Sequence, residues 1–288
     1  MRVLITGSKG QLGNELQLLS KSYPQHTYFF TDIEELDICN LKAVLSFITD
    51  NKIELIINGA AYTAVDKAEQ EKEAAHKINA AAVENLCEAA KEYNAYLVHV
   101  STDYVFDGLK DKPYLETDTV NPASEYGNSK LKGEENVLRY AIPSCIIRTS
   151  WLYSSFGNNF VKTILRLAKE RPELRIVADQ HGTPTYARDL AKAILEIITF
   201  HKLPQKPEIY HYSNMGEITW YDFARAITEI AGIAVPIHPI QTKDFPTAAI
   251  RPPYSVFSKE KIIRDYHIYI PDWYDSLKDC MAILMKSN

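Results

Sequence analysis

Long apolar runs, paired cysteines and surplus positive charge are all missing from this sequence, and each absence closes off a class of function. No apolar stretch approaches the roughly 20 residues needed to cross a bilayer, so no membrane partner is expected. The net charge of −5 leaves nothing to neutralise a run of phosphates, which argues against nucleic acid as a partner. The four cysteines, Cys39, Cys87, Cys145 and Cys280, form no C-x-x-C pair. They read as reduced thiols, not as a disulfide framework or a zinc site. Arg2 followed only by Val3-Leu4-Ile5 is too short for a secretory signal. Repeats and low-complexity tracts are also lacking. The expected location is the cytoplasm.

What remains is an ordinary globular composition over 288 residues, 46% hydrophobic and 24% charged, enough for one or two domains. Short apolar runs at Arg2–Thr6, Thr27–Thr31, Leu55–Asn58, Tyr96–Ser101 and Cys145–Thr149 read as buried parallel strands. Helical patterns at Leu12–Leu19, Leu41–Thr49, Ala74–Tyr93 and Ser124–Tyr140 alternate with them. That alternation predicts an α/β fold with a doubly wound parallel sheet of the Rossmann kind over residues 1–150. From Trp151 the rhythm loosens into helices at Phe160–Glu170, Ala187–Phe200 and Trp220–Ala231, with short strands and proline-bearing loops. Residues 151–288 are therefore expected to form a smaller, mixed α/β substrate lobe, with some segments returning to the sheet.

Gly7, Gly10 and Gly13 are spaced G-x-x-G-x-x-G between the first strand and the first helix. Such glycines permit a tight turn, backbone approach to a pyrophosphate and close helix–strand packing. The helix N-terminus adds N–H groups and a positive dipole end. Asp32 closes the second strand, where an acid can hold the adenosine ribose; it equally suits a turn cap. A carboxylate there favours NADH, and Lys9 could offset its repulsion of a 2′-phosphate, so NADPH and NADH both stay open.

Tyr126 and Lys130 are four apart and share a helix face. Carbonyl reduction needs a proton at oxygen while hydride reaches carbon, and an ammonium beside a phenol is expected to lower its pKa. Ser101 and Thr102 end the fourth strand at the ligand-binding edge of such a sheet; they also suit strand-end turn chemistry.

With these residues in order, the sequence resembles the extended short-chain dehydrogenase/reductase superfamily, in the branch that reduces dTDP-linked 4-keto-deoxysugars. The matching stretches include Gly7–Gly13, Asn58–Glu69, Ser101–Gly108, Tyr126–Glu134, Arg148–Tyr153, Asp179–Leu190 and Ser213–Ala224. The resemblance implies reduction of dTDP-4-dehydro-L-rhamnose by NADPH or NADH, serving cell-surface polysaccharide synthesis. It makes Tyr126 the proton donor, Lys130 its partner and Thr102 a tuning hydroxyl. It assigns Gly10, Gln11, Leu12, Asp32, Asp37, Ile38, Ala61, Tyr62, Thr63 and Val100, with Tyr126 and Lys130, to the dinucleotide. Thr102, Asp103 and Trp151 fall to the sugar nucleotide. Without the resemblance, Trp151 would read as a core aromatic, and Asp37 and Ile38 as a helix cap and a core residue.

Arg251–Lys261 departs from the branch in carrying Phe257-Ser258 in place of a leucine–aspartate pair. Some members form Mg²⁺-linked homodimers, and a homodimer is an open expectation here. Glu15 fits a metal, but Met281–Asn288 offers no carboxylate, so no metal is expected. Two rivals remain: a dehydratase or epimerase on the same scaffold, and a non-catalytic NADP-binding regulatory subunit. Dehydratases carry an acid after the Thr-Asp pair, where this chain has Tyr104.

Overall fold

The computed structural model describes residues 1–286; Ser287 and Asn288, the end of the expected substrate lobe and of the tail considered for a metal, lie outside the described residues. The first half alternates β1 (Arg2–Thr6), α1 (Gln11–Leu19), β2 (Thr27–Thr31), α2 (Leu41–Asn51), β3 (Leu55–Asn58), β4 (Tyr96–Thr102) and β5 (Ser144–Thr149). These five strands and a late one, Glu208–His211, form one sheet in the order β2–β1–β3–β4–β5–(Glu208–His211). Every pairing in it is parallel.

The strand residues divide between two cores, which explains their nearly continuous hydrophobicity. Val3, Ile5, Leu55, Ile57, Val98 and Ile147 pack on one face against Leu12 and Leu16 of α1. Leu4, Ile56, Leu97 and Ile146 pack on the other, against Val44 and Ile48 of α2. A strand buried on both faces cannot alternate apolar with polar.

The late chain finishes this sheet. Glu208–His211 pairs with β5, Ile209 opposite Ile146, and the helix Ala187–Phe200 lays Leu190, Ile194 and Ile198 into the α1 side. The remaining late segments have their own core, in which Tyr153, Ile164, Phe223, Ile227, Leu277 and Met281 are buried. Its helices are Phe160–Glu170, Trp220–Ile230 and Trp273–Lys286. No helix among the described residues is long and apolar enough to cross a membrane. Cys39, Cys87, Cys145 and Cys280 are all free.

One predicted helix differs. Ala74–Tyr93 is broken by a π-helical turn over Lys77–Ala81, between α-helical Lys72–His76 and Ala82–Glu92. The wide turn directs Asn79 inward, where its Oδ1 accepts from Tyr62 N and its Nδ2 donates to Tyr62 O and Ser129 Oγ. Those bonds tie the loop after β3 to the helix Glu125–Tyr140. A π-turn in this position fits their frequent use beside functional sites.

Candidate active site

Strand order reverses between β1 and β3, and a cleft of about 1130 Å³ opens at the carboxyl ends of the strands there. Gly7 begins it with φ +67°; a Cβ at that residue would lie 2.7 Å from Ala60 Cα. A Cβ on Gly13 would lie 2.3 Å from Gly7 O, so both residues must be glycine for turn and helix to close. No side chain caps α1, whose first-turn N–H groups therefore face the cleft without a side-chain acceptor, and no acid stands in that turn. A helix start left open in this way has the chemistry to hold a diphosphate.

Gly10, Gln11, Leu12, Asp37, Ile38, Ala61, Thr63 and Val100 line the same cleft, as do Thr102, Asp103, Tyr126, Lys130 and Trp151. Tyr62 does not: its hydroxyl turns away to Glu71 (2.6 Å), and its backbone is held by Asn79. Asp32 both lines the cleft and caps the turn, its oxygens accepting from Lys9 N (3.0 Å) and Ile33 N (2.9 Å). The Lys9 ammonium pairs with Glu34 and Glu35, so it does not stand as a free counter-charge to a 2′-phosphate.

The helix Glu125–Tyr140 begins at an N-cap, Ser124, whose hydroxyl accepts from Gly127 N. Its first turn points Tyr126 into the cleft, edge-on to Tyr104 with centroids 5.4 Å apart. Burial pushes the Tyr126 phenol up to about 12, against the pull of the nearby Thr102 hydroxyl. The expected lowering by Lys130 is not found. Lys130 donates instead to Val100 O (2.6 Å), and burial brings its ammonium down to about 8, against the pull of Glu134. A phenol held as high as that of Tyr126 keeps its proton at pH 7.

Behind Lys130 lies a network that the motifs do not reveal. Arg148 of β5 and Glu134 form a buried, two-pronged pair (2.7 and 2.9 Å), and the Ser101 hydroxyl donates to Glu134 at 2.5 Å. Glu134 follows Lys130 by four residues, so helix periodicity alone hints that it shares Lys130's face; its partners on β4 and β5 carry no such signal.

Trp151 stands at φ +47° with its indole flat on Trp220. It is half-buried, packing on the late segments' core while lining the cleft. Gly182 makes room for it: a Cβ there would lie 2.6 Å from Trp151 Cε2. Arg251 of the late chain donates to Asp66 after β3, 2.7 Å away. Glu15 is buried and already engaged by Arg188 Nε (2.9 Å) and Ser154 Oγ (2.6 Å). Among the described residues no group of three or more His, Cys, Asp or Glu side chains could hold a metal.

A glycine cradle at the switch point, with tyrosine, lysine and threonine converging beside it, defines an extended short-chain dehydrogenase/reductase. The chain matches, over residues 1–286, the family described as RmlD substrate binding domain, and it belongs to that family. It is 44% identical to the dTDP-4-dehydrorhamnose reductase of Aggregatibacter actinomycetemcomitans, over 98% of both chains. The crystal structure of a dTDP-4-dehydrorhamnose reductase from Clostridium acetobutylicum superposes with a TM-score of 0.94 at 42% identity, covering 99% of this chain and 100% of that one. The Bacillus anthracis enzyme of the same name, solved in complex with NADP, gives 0.92 at 39% identity over 98% and 99%.

Proposed function

We propose that this protein reduces dTDP-4-dehydro-L-rhamnose to dTDP-L-rhamnose in the cytoplasm, using NADPH or NADH. The observation that carries the reading is the convergence of Tyr126, Lys130 and Thr102 on the cleft that the glycine turn opens. Residues 1–150 would hold the dinucleotide: its diphosphate on Gly7, Gly10 and Gly13, its adenosine end near Asp32, Asp37 and Ile38. Ala61, Thr63 and Val100 would line its path, with Tyr62 acting through its backbone. Residues from 151 onward would hold the sugar nucleotide, with Trp151 against the ring or base and Asp103 at the sugar.

The bound cofactor would supply hydride to the carbonyl carbon. Tyr126 gives the carbonyl oxygen its proton, and its high pKa keeps that proton in place until charge develops there. Lys130, fixed by Val100 O, brings positive charge to the reacting end of the cleft. Tyr104 counts against the dehydratase alternative: burial holds its phenol well above the ordinary range, so it is no base for elimination at neutral pH. An intact proton-donating set counts against the regulatory subunit.

The test is product identification after incubating the protein with dTDP-4-dehydro-β-L-rhamnose and NADPH. Stoichiometric NADPH oxidation with formation of dTDP-L-rhamnose is expected. Cofactor binding with no turnover would overturn the reading in favour of the regulatory alternative.

A further inference from the structure

Gln11 opens α1 at the glycine turn and lines the cleft, yet its side chain is engaged by the late chain. Its Oε1 accepts from Asn159 Nδ2 (2.9 Å), and its Nε2 donates to Leu152 O (3.4 Å). That orientation of the carboxamide is forced. Asn159 caps the helix Phe160–Glu170 by accepting from Lys162 N through Oδ1 (3.1 Å), so it can offer Gln11 only its Nδ2. Gln11 must meet it with oxygen and turn its nitrogen to Leu152. The same Asn159 Nδ2 donates to Ser154 O (2.7 Å), which closes the loop on itself. One turn along α1, Glu15 accepts from the Ser154 hydroxyl at 2.6 Å. Gly157 also packs on Gln11; a Cβ there would lie 3.0 Å from Gln11 Cγ. The first two turns of α1 thus grip residues 152–159, which directly continue Trp151.

Resting on the reductase reading above, we propose that Gln11 is a positioning residue for the sugar nucleotide. Its carboxamide holds residues 152–159, and through them the Trp151 indole, at the cleft. The residue belongs to the glycine motif by sequence, but its side chain serves the other partner in the reaction.

Trp151 needs such a hold. It stands at φ +47°, its carbonyl accepts from Thr185 N at 3.2 Å, and Leu152 follows with the carbonyl that Gln11 engages. The stack on Trp220 fixes the plane of the indole, while Gln11 fixes the backbone that delivers it. Loss of the carboxamide leaves the glycine turn itself intact. Gly10 N donates to Gly7 O (3.0 Å), and Gly13 packs on Gly7 and Ser8 backbone, so no closing contact of the turn uses the Gln11 side chain. The two effects of a substitution, on the dinucleotide and on the sugar nucleotide, are therefore separable.

The experiment begins without turnover. Gln11→Met keeps the length of the side chain and removes both bonds. In this variant the amides of residues 151–159 should exchange with deuterium about tenfold faster, the scale of one or two net hydrogen bonds. Those of β1 should keep the wild-type rate, and the Kd for NADPH should stay within about twofold. With NADPH saturating, KM for dTDP-4-dehydro-β-L-rhamnose should rise about five- to tenfold at nearly constant kcat. Asn159→Ser retains a capping hydroxyl for its helix but cannot reach Gln11, so it should reproduce the rise in KM. That variant decides the matter if Gln11→Met does not fold. In a Trp151→Ala background, Gln11→Met should add less than about twofold to KM, since both act on one contact. Unchanged exchange at 151–159, a Kd for NADPH that rises as far as KM, or the same KM penalty with and without Trp151 would each overturn the assignment. A wild type without turnover would instead fail the reductase reading, and the exchange rates would still judge the hold on 151–159.

Discussion

The Trp151 and Trp220 indoles lie parallel, centroids 3.6 Å apart and planes within 10°. That stack holds Trp151 at φ +47°, a backbone region that costs a bulky residue on the order of 1–3 kcal/mol. Trp151→Ala should raise KM for the sugar nucleotide about tenfold or more and leave cofactor affinity unchanged. Its stability cost should fall below the roughly 3–5 kcal/mol of a fully buried tryptophan. Trp151→Gly should melt above Trp151→Ala, because glycine takes positive φ freely. Parallel melting curves and KM values check both; the reverse melting order would show that no strain is stored there.

Tyr126→Phe should lower kcat and kcat/KM together by about 10²–10⁴-fold, since the hydroxyl acts only as charge develops. Cofactor Kd, measured by fluorescence titration, should not move. Near wild-type kcat at saturating substrate would remove Tyr126 from the chemistry.

Asp32→Ala should shift preference toward NADPH by about one decade, the scale of a charged hydrogen bond. Lys9 is occupied by Glu34 and Glu35, so a 2′-phosphate bound beside Asp32 would meet an acidic rim in the wild type. Titrating both reduced cofactors against both proteins gives the ratio. An unchanged ratio would leave Asp32 with its turn-capping bonds alone.

Acid should destabilise the fold from about pH 6.5 downward. His211 is fully buried and held neutral; burial and the nearby Arg148 bring it down to about 3. A histidine with a depressed folded pKa stabilises the native state above its unfolded value of about 6.5 and loses that contribution as pH falls toward 3. The loss is about 1.4 kcal/mol per pH unit across that window. Urea midpoints from pH 7 to pH 5 should fall, and His211→Gln should show a shallower slope. Equal slopes would mean that other groups carry the dependence.

Much of the architecture was legible because its causes are local. Leu55–Asn58 reads as a strand since burial on both faces demands an unbroken apolar run, and its bounds agree to the residue. Gly7–Gly13 span one loop and the first turn of α1, and Tyr126 and Lys130 lie one helical turn apart, so local geometry brings each set to the cleft. The hidden parts are long-range pairings. Arg251 and Asp66 are 185 residues apart, and no periodicity couples them. Trp220 beneath Trp151, and Arg148 behind Glu134, depend on packing between elements. The π-turn at Lys77–Ala81 escapes for another reason: its alanine-rich run suits an ordinary helix equally well, and Asn79's distant partners decide the matter.

The late strand Glu208–His211 and the helix Ala187–Phe200 also govern how a nascent chain can mature. At about 5–20 residues per second, the ribosome needs several seconds to advance from Thr149 to His211. Throughout that interval β5 presents an unpaired edge, and Leu12 and Leu16 of α1 lack the cover of the later helix. The glycine turn is made well before this interval, yet the layer behind it is completed only once His211 has been added. A chain released after Ser150 should therefore collect in aggregates, and cofactor affinity should appear only in translation products extending past His211.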